Sequence, residues 1–171
     1  MAEHEFTHLD SDGRLRMVDV SSKEPTRRVA EASCLVVSRV EHHAFEADGG
    51  GPDLVLSARL AGIHAAKVTA DLIPLCHPLA LSNVELHVAT HPRGFEVSSQ
   101  VIATGPTGVE MEALTACCYA ALRLVTTLVA TDPEAHLADL VLRHKSGGRS
   151  GDWGRDVTTA PPGSDESPDS P

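Results

Sequence analysis

Val84-Glu85-Leu86-His87-Val88, then His91-Pro92-Arg93-Gly94, then Phe95-Glu96-Val97-Ser98-Ser99-Gln100-Val101 is the stretch that decides the fold of this 171-residue chain. Both runs largely alternate apolar and polar residues, the period of a strand with one face buried. The proline and glycine between them mark a turn, so the pair reads as an antiparallel hairpin. Segments of helical period lie on either side. In residues 54–68, Leu54, Ala58, Ala61, Ala65 and Val68 recur at three- and four-residue spacing, with Asp53 placed as an N-cap. Residues 111–130 are rich in Ala and Leu and stop before Asp132-Pro133. Residues 15–21 and 28–37 read as extended, and residues 140–144 as a last strand. This order predicts an α+β sandwich, with helices packed on one face of an antiparallel sheet.

Composition narrows the function. Hydrophobic residues make up 42% and charged residues 22%, ordinary for one domain with a real core. No apolar run approaches the ~20 residues that span a bilayer. The start, Met1-Ala2-Glu3-His4-Glu5-Phe6, lacks a signal peptide's basic opening and apolar centre. A cytoplasmic protein without a membrane partner is expected. Cys34, Cys76, Cys117 and Cys118 form no C-x-x-C pair and suit a reducing compartment. Of ten histidines only His42-His43 are grouped, and no HExxH accompanies them, so neither a metal nor a cofactor is expected. The net charge of −10 argues against nucleic acid as a partner.

Residues 1–13 read as a flexible leader, 14–152 as the folded domain and 153–171 as a disordered tail. The run Ala160-Pro161-Pro162-Gly163-Ser164 cannot build a core, and from Asp156 onward the tail is acidic without a base. Asp48-Gly49-Gly50-Gly51-Pro52 reads as a loop rather than a phosphate cradle, because no Gly-Lys-Ser/Thr follows.

Three segments carry candidate chemistry. In Asp71-Leu72-Ile73-Pro74-Leu75-Cys76-His77-Pro78-Leu79 the prolines push Ile73 and His77 out of the helical region. The result is a rigid elbow, either a plain turn or a wall of an active site. In Thr107-Gly108-Val109-Glu110-Met111-Glu112-Ala113-Leu114-Thr115 two carboxylates open a helix, where the exposed N–H groups favour them. Two residues apart, they point to different sides, so one can serve the helix end while the other faces a cleft. Lys145-Ser146-Gly147-Gly148-Arg149-Ser150-Gly151 is either a turn or a basic, glycine-rich loop for phosphate oxygens.

Together with Met17-Val18-Asp19-Val20-Ser21, Ala58-Arg59-Leu60-Ala61-Gly62-Ile63 and Ala65-Ala66-Lys67, these segments closely resemble the cyclic pyranopterin monophosphate synthase family, MoaC, over residues 7–152. The resemblance implies a ferredoxin-like α+β fold and a homo-oligomer, a hexamer built as a trimer of dimers with active sites at dimer interfaces. It implies a phosphorylated small-molecule substrate, a cyclised GTP derivative, rearranged with loss of pyrophosphate in molybdenum cofactor biosynthesis. By position, Leu75, Cys76, His77, Met111 and Glu112 match substrate-pocket residues, Lys67 and Lys145 match family lysines, and Arg28 matches an arginine near the phosphates. Lys67, His77 and Glu112 are the catalytic candidates.

Three positions depart from the family pattern. Thr126 stands where the family's catalytic aspartate is expected, Val129 where a lysine is, and Gly51 where a second lysine precedes the first helix. None of the three can ionise, and losing a positioned acid or base commonly removes ~10²–10⁴-fold in rate. The expected protein is a diverged enzyme performing a lyase, dehydratase or isomerase step on a related phosphorylated substrate. The alternatives are a working synthase completed by residues of a partner subunit, and a binding or regulatory pseudoenzyme that assembles with an intact paralogue.

Overall fold

The β-branched and small residues of Thr26–Val37 form the central strand, β1, buried on both faces along most of its length. The computed structural model describes residues 8–10, 12–40, 51–149 and 151–155, with side chains from residue 54 onward in the first helix. The elements run β1, α1 (Gly51–Lys67), α2 (Thr69–Leu72), β2 (Leu81–His91), β3 (Gly94–Gly105), α3 (Glu110–Leu128), β4 (His136–Ser146) and β5 (Trp153–Gly154).

The expected hairpin is present. β2 and β3 pair antiparallel from Leu81↔Ala103 to His91↔Gly94, with Pro92 and Arg93 forming the turn. Arg93 donates its backbone N–H to His91 Nδ1 at 3.1 Å, which fixes that turn. β1 pairs antiparallel with β3 along its whole length and with β4 on its other side, giving the order β2-β3-β1-β4-β5. Discounting the short α2 and β5, the chain reads βαββαβ around an antiparallel sheet, the ferredoxin-like α+β fold.

One sheet face presents Ala30, Ala32, Cys34 and Val36 from β1 and Val97 and Val101 from β3 to α1 and α3. Leu86, Leu124 and Leu128 are at most 2% exposed there, and burying each such side chain contributes about 1.5–3 kcal/mol. Gly62 lets the helices touch: a Cβ there would lie 2.5 Å from the Ala116 carbonyl oxygen and 3.1 Å from Ala120 Cβ. Asp132 ties the end of β1 to the end of α3, accepting from Arg39 N at 2.7 Å and Ser38 Oγ at 3.1 Å.

Some local expectations give way. Residues 15–21 form no strand beyond the single Leu9↔Leu15 bridge. Their apolar side chains find no sheet, leaving Leu15 76% exposed, and Asp19 Oδ1 instead accepts from Ser21 N at 2.9 Å to make a turn. α1 begins at Gly51, so Asp53 falls inside the helix rather than at the N-cap position. α3 is long and apolar enough to cross a bilayer by length and composition, contrary to the reading from apolar runs. Its small residues Ala113, Ala116, Cys117, Ala120 and Ala121 are instead buried in the core. Trp153–Gly154, assigned to the tail from sequence, pair with β4. Residues 1–7, 41–50 and 156–171 lie outside the described residues, and with them most of the leader, His42-His43 and most of the tail.

Candidate active site

The elbow is built by the way α1 stops. Thr69 Oγ1 donates to the carbonyls of Ala65 and Ala66 at 3.2 and 3.0 Å, competing with helix propagation, and α2 lasts four residues. Ile73, before Pro74, is extended at φ −116 and ψ 110, as the proline demands. Leu75 then adopts φ 69, a left-handed conformation that costs a non-glycine residue about 1–2 kcal/mol. Such strain persists where the surroundings impose it, often beside a functional group. Cys76 and His77 follow, both half-buried.

Glu112 projects from the first turn of α3 and is only 4% exposed. Burial pushes its carboxyl up to about 7; its own backbone N–H pulls the other way, and the Glu110 charge adds to the rise. Burial also raises the Cys76 thiol, and the Glu112 charge raises it further, so elbow and helix start act on each other. Asp19 lies within electrostatic reach of His77. Its carboxylate is held below the usual range first by the Ser21 backbone N–H, then by the Ser21 hydroxyl, with a smaller favourable contribution from His77.

A cleft of about 710 Å³ takes in Arg28, Glu110 and Lys145, whereas Leu75, Cys76, His77, Met111 and Glu112 are not among its lining residues. Lys23, Arg28, Lys145 and Arg149 line it, against two carboxylates, Glu24 and Glu110, so a strongly acidic chain concentrates positive charge here. Gly108 and Gly147 add backbone to the wall. Lys145 Nζ stands 3.3 Å from Glu110 Oε1. Arg28 lines the cleft but its guanidinium is engaged: it donates to the carbonyls of Gly147 at 3.1 Å, Pro106 at 3.3 Å and Gly105 at 3.4 Å. It therefore ties the β3–α3 connection to the loop after β4 and keeps two of its five N–H donors for a ligand. Gly148, at φ +76, makes room for it, since a Cβ there would collide with Arg28 Nη1.

The helix pair divides the remaining candidates. β1 and β2 both run opposite to β3 and β4, so α1 and α3, which connect them, are antiparallel. Gly62 meets α3 at Ala116 and Ala120. Counting from that contact, exposed Lys67 falls level with the first turn of α3, at the Glu112 end, although it does not line the cleft. Gly51 falls at the opposite end, beside the last turn of α3. A rise of ~1.5 Å per residue places Thr126 about 21 Å and Val129 about 26 Å from Glu112 along the axis. Thr126 and Val129 are exposed, and the Thr126 hydroxyl donates to the Leu122 carbonyl at 2.8 Å. The retained candidates Arg28, Lys67, Leu75, Cys76, His77, Met111, Glu112 and Lys145 are thus at one end, and the three altered positions at the other. Sequence reading passed over Lys23 and Glu24 as cleft residues, the nearness of Asp19 to His77 and the conformation of Leu75. Only Asp19 had a signal, its place in the Met17–Ser21 motif.

Comparison with known proteins gives the family. A family model described as the MoaC family matches residues 17–148. The chain is 45% identical over 165 residues to a protein named cyclic pyranopterin monophosphate synthase from Streptomyces griseus, covering 95% of this chain and 92% of that protein. It is 44% identical to two proteins of one Mycobacterium tuberculosis strain, cyclic pyranopterin monophosphate synthase 2 and cyclic pyranopterin monophosphate synthase 1. These matches cover 88% and 90% of this chain respectively, and 92% of each relative. A match of this extent and identity makes the chain a member of the MoaC family.

Proposed function

We propose that this chain binds a phosphorylated small molecule, cyclised GTP-derived or closely related, and carries out a lyase, dehydratase or isomerase step on it. The observation that supports the binding half most directly is the local excess of cations, Lys23, Arg28, Lys145 and Arg149, in a chain of net charge −10. Glu112, with its carboxyl at about 7, suits proton transfer near neutral pH, where both of its protonation states are populated. The Cys76 thiol lies within electrostatic reach of the same carboxyl, and with His77 beside it on the elbow would help shape the pocket for the base. The neutral Gly51, Thr126 and Val129 argue that the standard synthase step is slow.

The segregation of residues along α3 favours a second arrangement of the same chemistry. One chain cannot bring its own Thr126–Val129 end to its own Glu112, so a complete site takes that end from another subunit. A hexamer of this chain would then contain sites with neutral residues in those places. Assembly with an intact paralogue would supply the missing acid and base, a possibility in keeping with two synthases named from a single M. tuberculosis strain. The purified chain, assayed alone and mixed with an intact family member, separates these readings. Pyranopterin formation by the chain alone at a relative's rate would remove the diverged-enzyme reading; a rate that appears only on mixing would favour co-assembly.

A further inference from the structure

Glu110 is out of place in a cleft for anions. Its carboxylate lines the same wall as Lys145, 3.3 Å from the amine, and both side chains are partly exposed, at 28% and 33%. An incoming phosphoryl group competes for that amine with two or three charged oxygens against one carboxylate, and such charge-assisted bonds are the stronger kind. Arg28 is held by three backbone carbonyls and forms no ion pair with Glu110 among the described residues. Glu110 is also tied to Glu112 by charge across the first turn of α3.

We propose that Lys145 is a counter-ion shared between Glu110 and the ligand, so that anion binding leaves the Glu110 charge uncompensated and draws a proton from solvent onto Glu112. The inference rests on the anion-binding reading above and deepens it. When the cleft is empty, Lys145 compensates Glu110. When a phosphoryl oxygen engages Lys145, the Glu110 charge acts on Glu112 with one cation fewer to offset it, which favours the protonated form of Glu112. The charged groups sharing the cleft with Glu110 are Lys145 from β4, Arg28 from β1, and Lys23, Glu24 and Arg149, while Cys76 of the elbow lies within electrostatic reach of Glu112. None of the cations besides Lys145 is paired with Glu110. Ligand binding would thereby load Glu112 as a general acid at the moment the substrate arrives.

Calorimetric titration of the full-length chain with inorganic pyrophosphate at pH 7, in two buffers of different ionisation enthalpy, counts the protons taken up. Glu110→Gln and Glu112→Gln serve as references, since any protonation change of pyrophosphate itself is common to all three proteins. The wild type is expected to take up about half a proton more than either variant. Glu110→Gln is expected to bind pyrophosphate at least about threefold more tightly at pH 8, having lost a like charge. Equal proton counts in the three proteins, with pyrophosphate bound, overturn the shared counter-ion and leave the anion site standing. Absence of pyrophosphate binding in all three overturns both.

Discussion

Thr126 stands about 21 Å from Glu112 along the axis of α3, with the buried middle of the helix between them. The buried carboxylate of Glu112 and the exposed hydroxyl of Thr126 belong to different ends of α3. The three positions that differ from the expected family pattern lie at one end of the α1–α3 pair, and the cleft lies at the other. Thr126→Asp with Val129→Lys changes exposed side chains only, so stability should stay within about 0.5 kcal/mol of wild type. With Gly51→Lys added, pyrophosphate release from the cyclised GTP derivative is expected to rise at least about tenfold over wild type. An unchanged rate in a folded triple variant would mean that these positions do not limit the chemistry.

Glu112 sets a pH dependence with a definite sign. Its carboxyl goes from an ordinary 4.5 in the unfolded chain to about 7 in the folded one. The folded state therefore holds a proton that the unfolded state gives up, and stability falls as pH rises from about 4.5 through about 7. Glu112→Gln removes this slope, and at pH 8 it should be more stable than wild type by on the order of 2–3 kcal/mol. Urea denaturation at pH 5 and pH 8 measures it; the same wild-type-to-variant gap at both values would contradict the raised carboxyl.

The contact of α1 with α3 through Gly62 is tight enough to test by a single methyl group. Gly62→Ala places its Cβ 2.5 Å from the Ala116 carbonyl oxygen and against Leu86. Overpacking of this kind costs about 1–3 kcal/mol, readable as a lower urea midpoint with an unchanged slope.

Arg28 and Gly148 should behave as one unit. Gly148→Ala forces a Cβ onto the guanidinium and onto a backbone at φ +76, so it should loosen the same two loops as Arg28→Ala. Each is expected to weaken pyrophosphate binding about tenfold, and the double variant little further, since residues sharing one contact are not additive. Additive losses would make Arg28 a direct ligand independent of the loop.

The sequence carried the architecture because periodicity reports burial, and the alternation around Pro92 and Arg93 and the small-residue face of α3 both become buried in the core. It misread residues 15–21, whose apolar spacing looks the same whether or not a sheet edge is available. It also stopped β4 short, since exposed residues such as His136 extend a strand through backbone pairing alone. For the candidate site, the motif segments pointed to Glu112, His77 and Lys145 by residue type. The engagement of Arg28 by three carbonyls, the Lys145–Glu110 pair and the left-handed Leu75 arise from contacts between distant segments, which no local pattern encodes.

The most direct measurement is a single-turnover experiment with the purified full-length chain and the cyclised GTP derivative, following bound substrate and released pyrophosphate together. The substrate should bind saturably, while pyranopterin forms at least about 10²-fold more slowly than with the S. griseus relative. Turnover by the chain alone at that relative's rate would contradict the account, and failure to bind the substrate at all would contradict it from the other side.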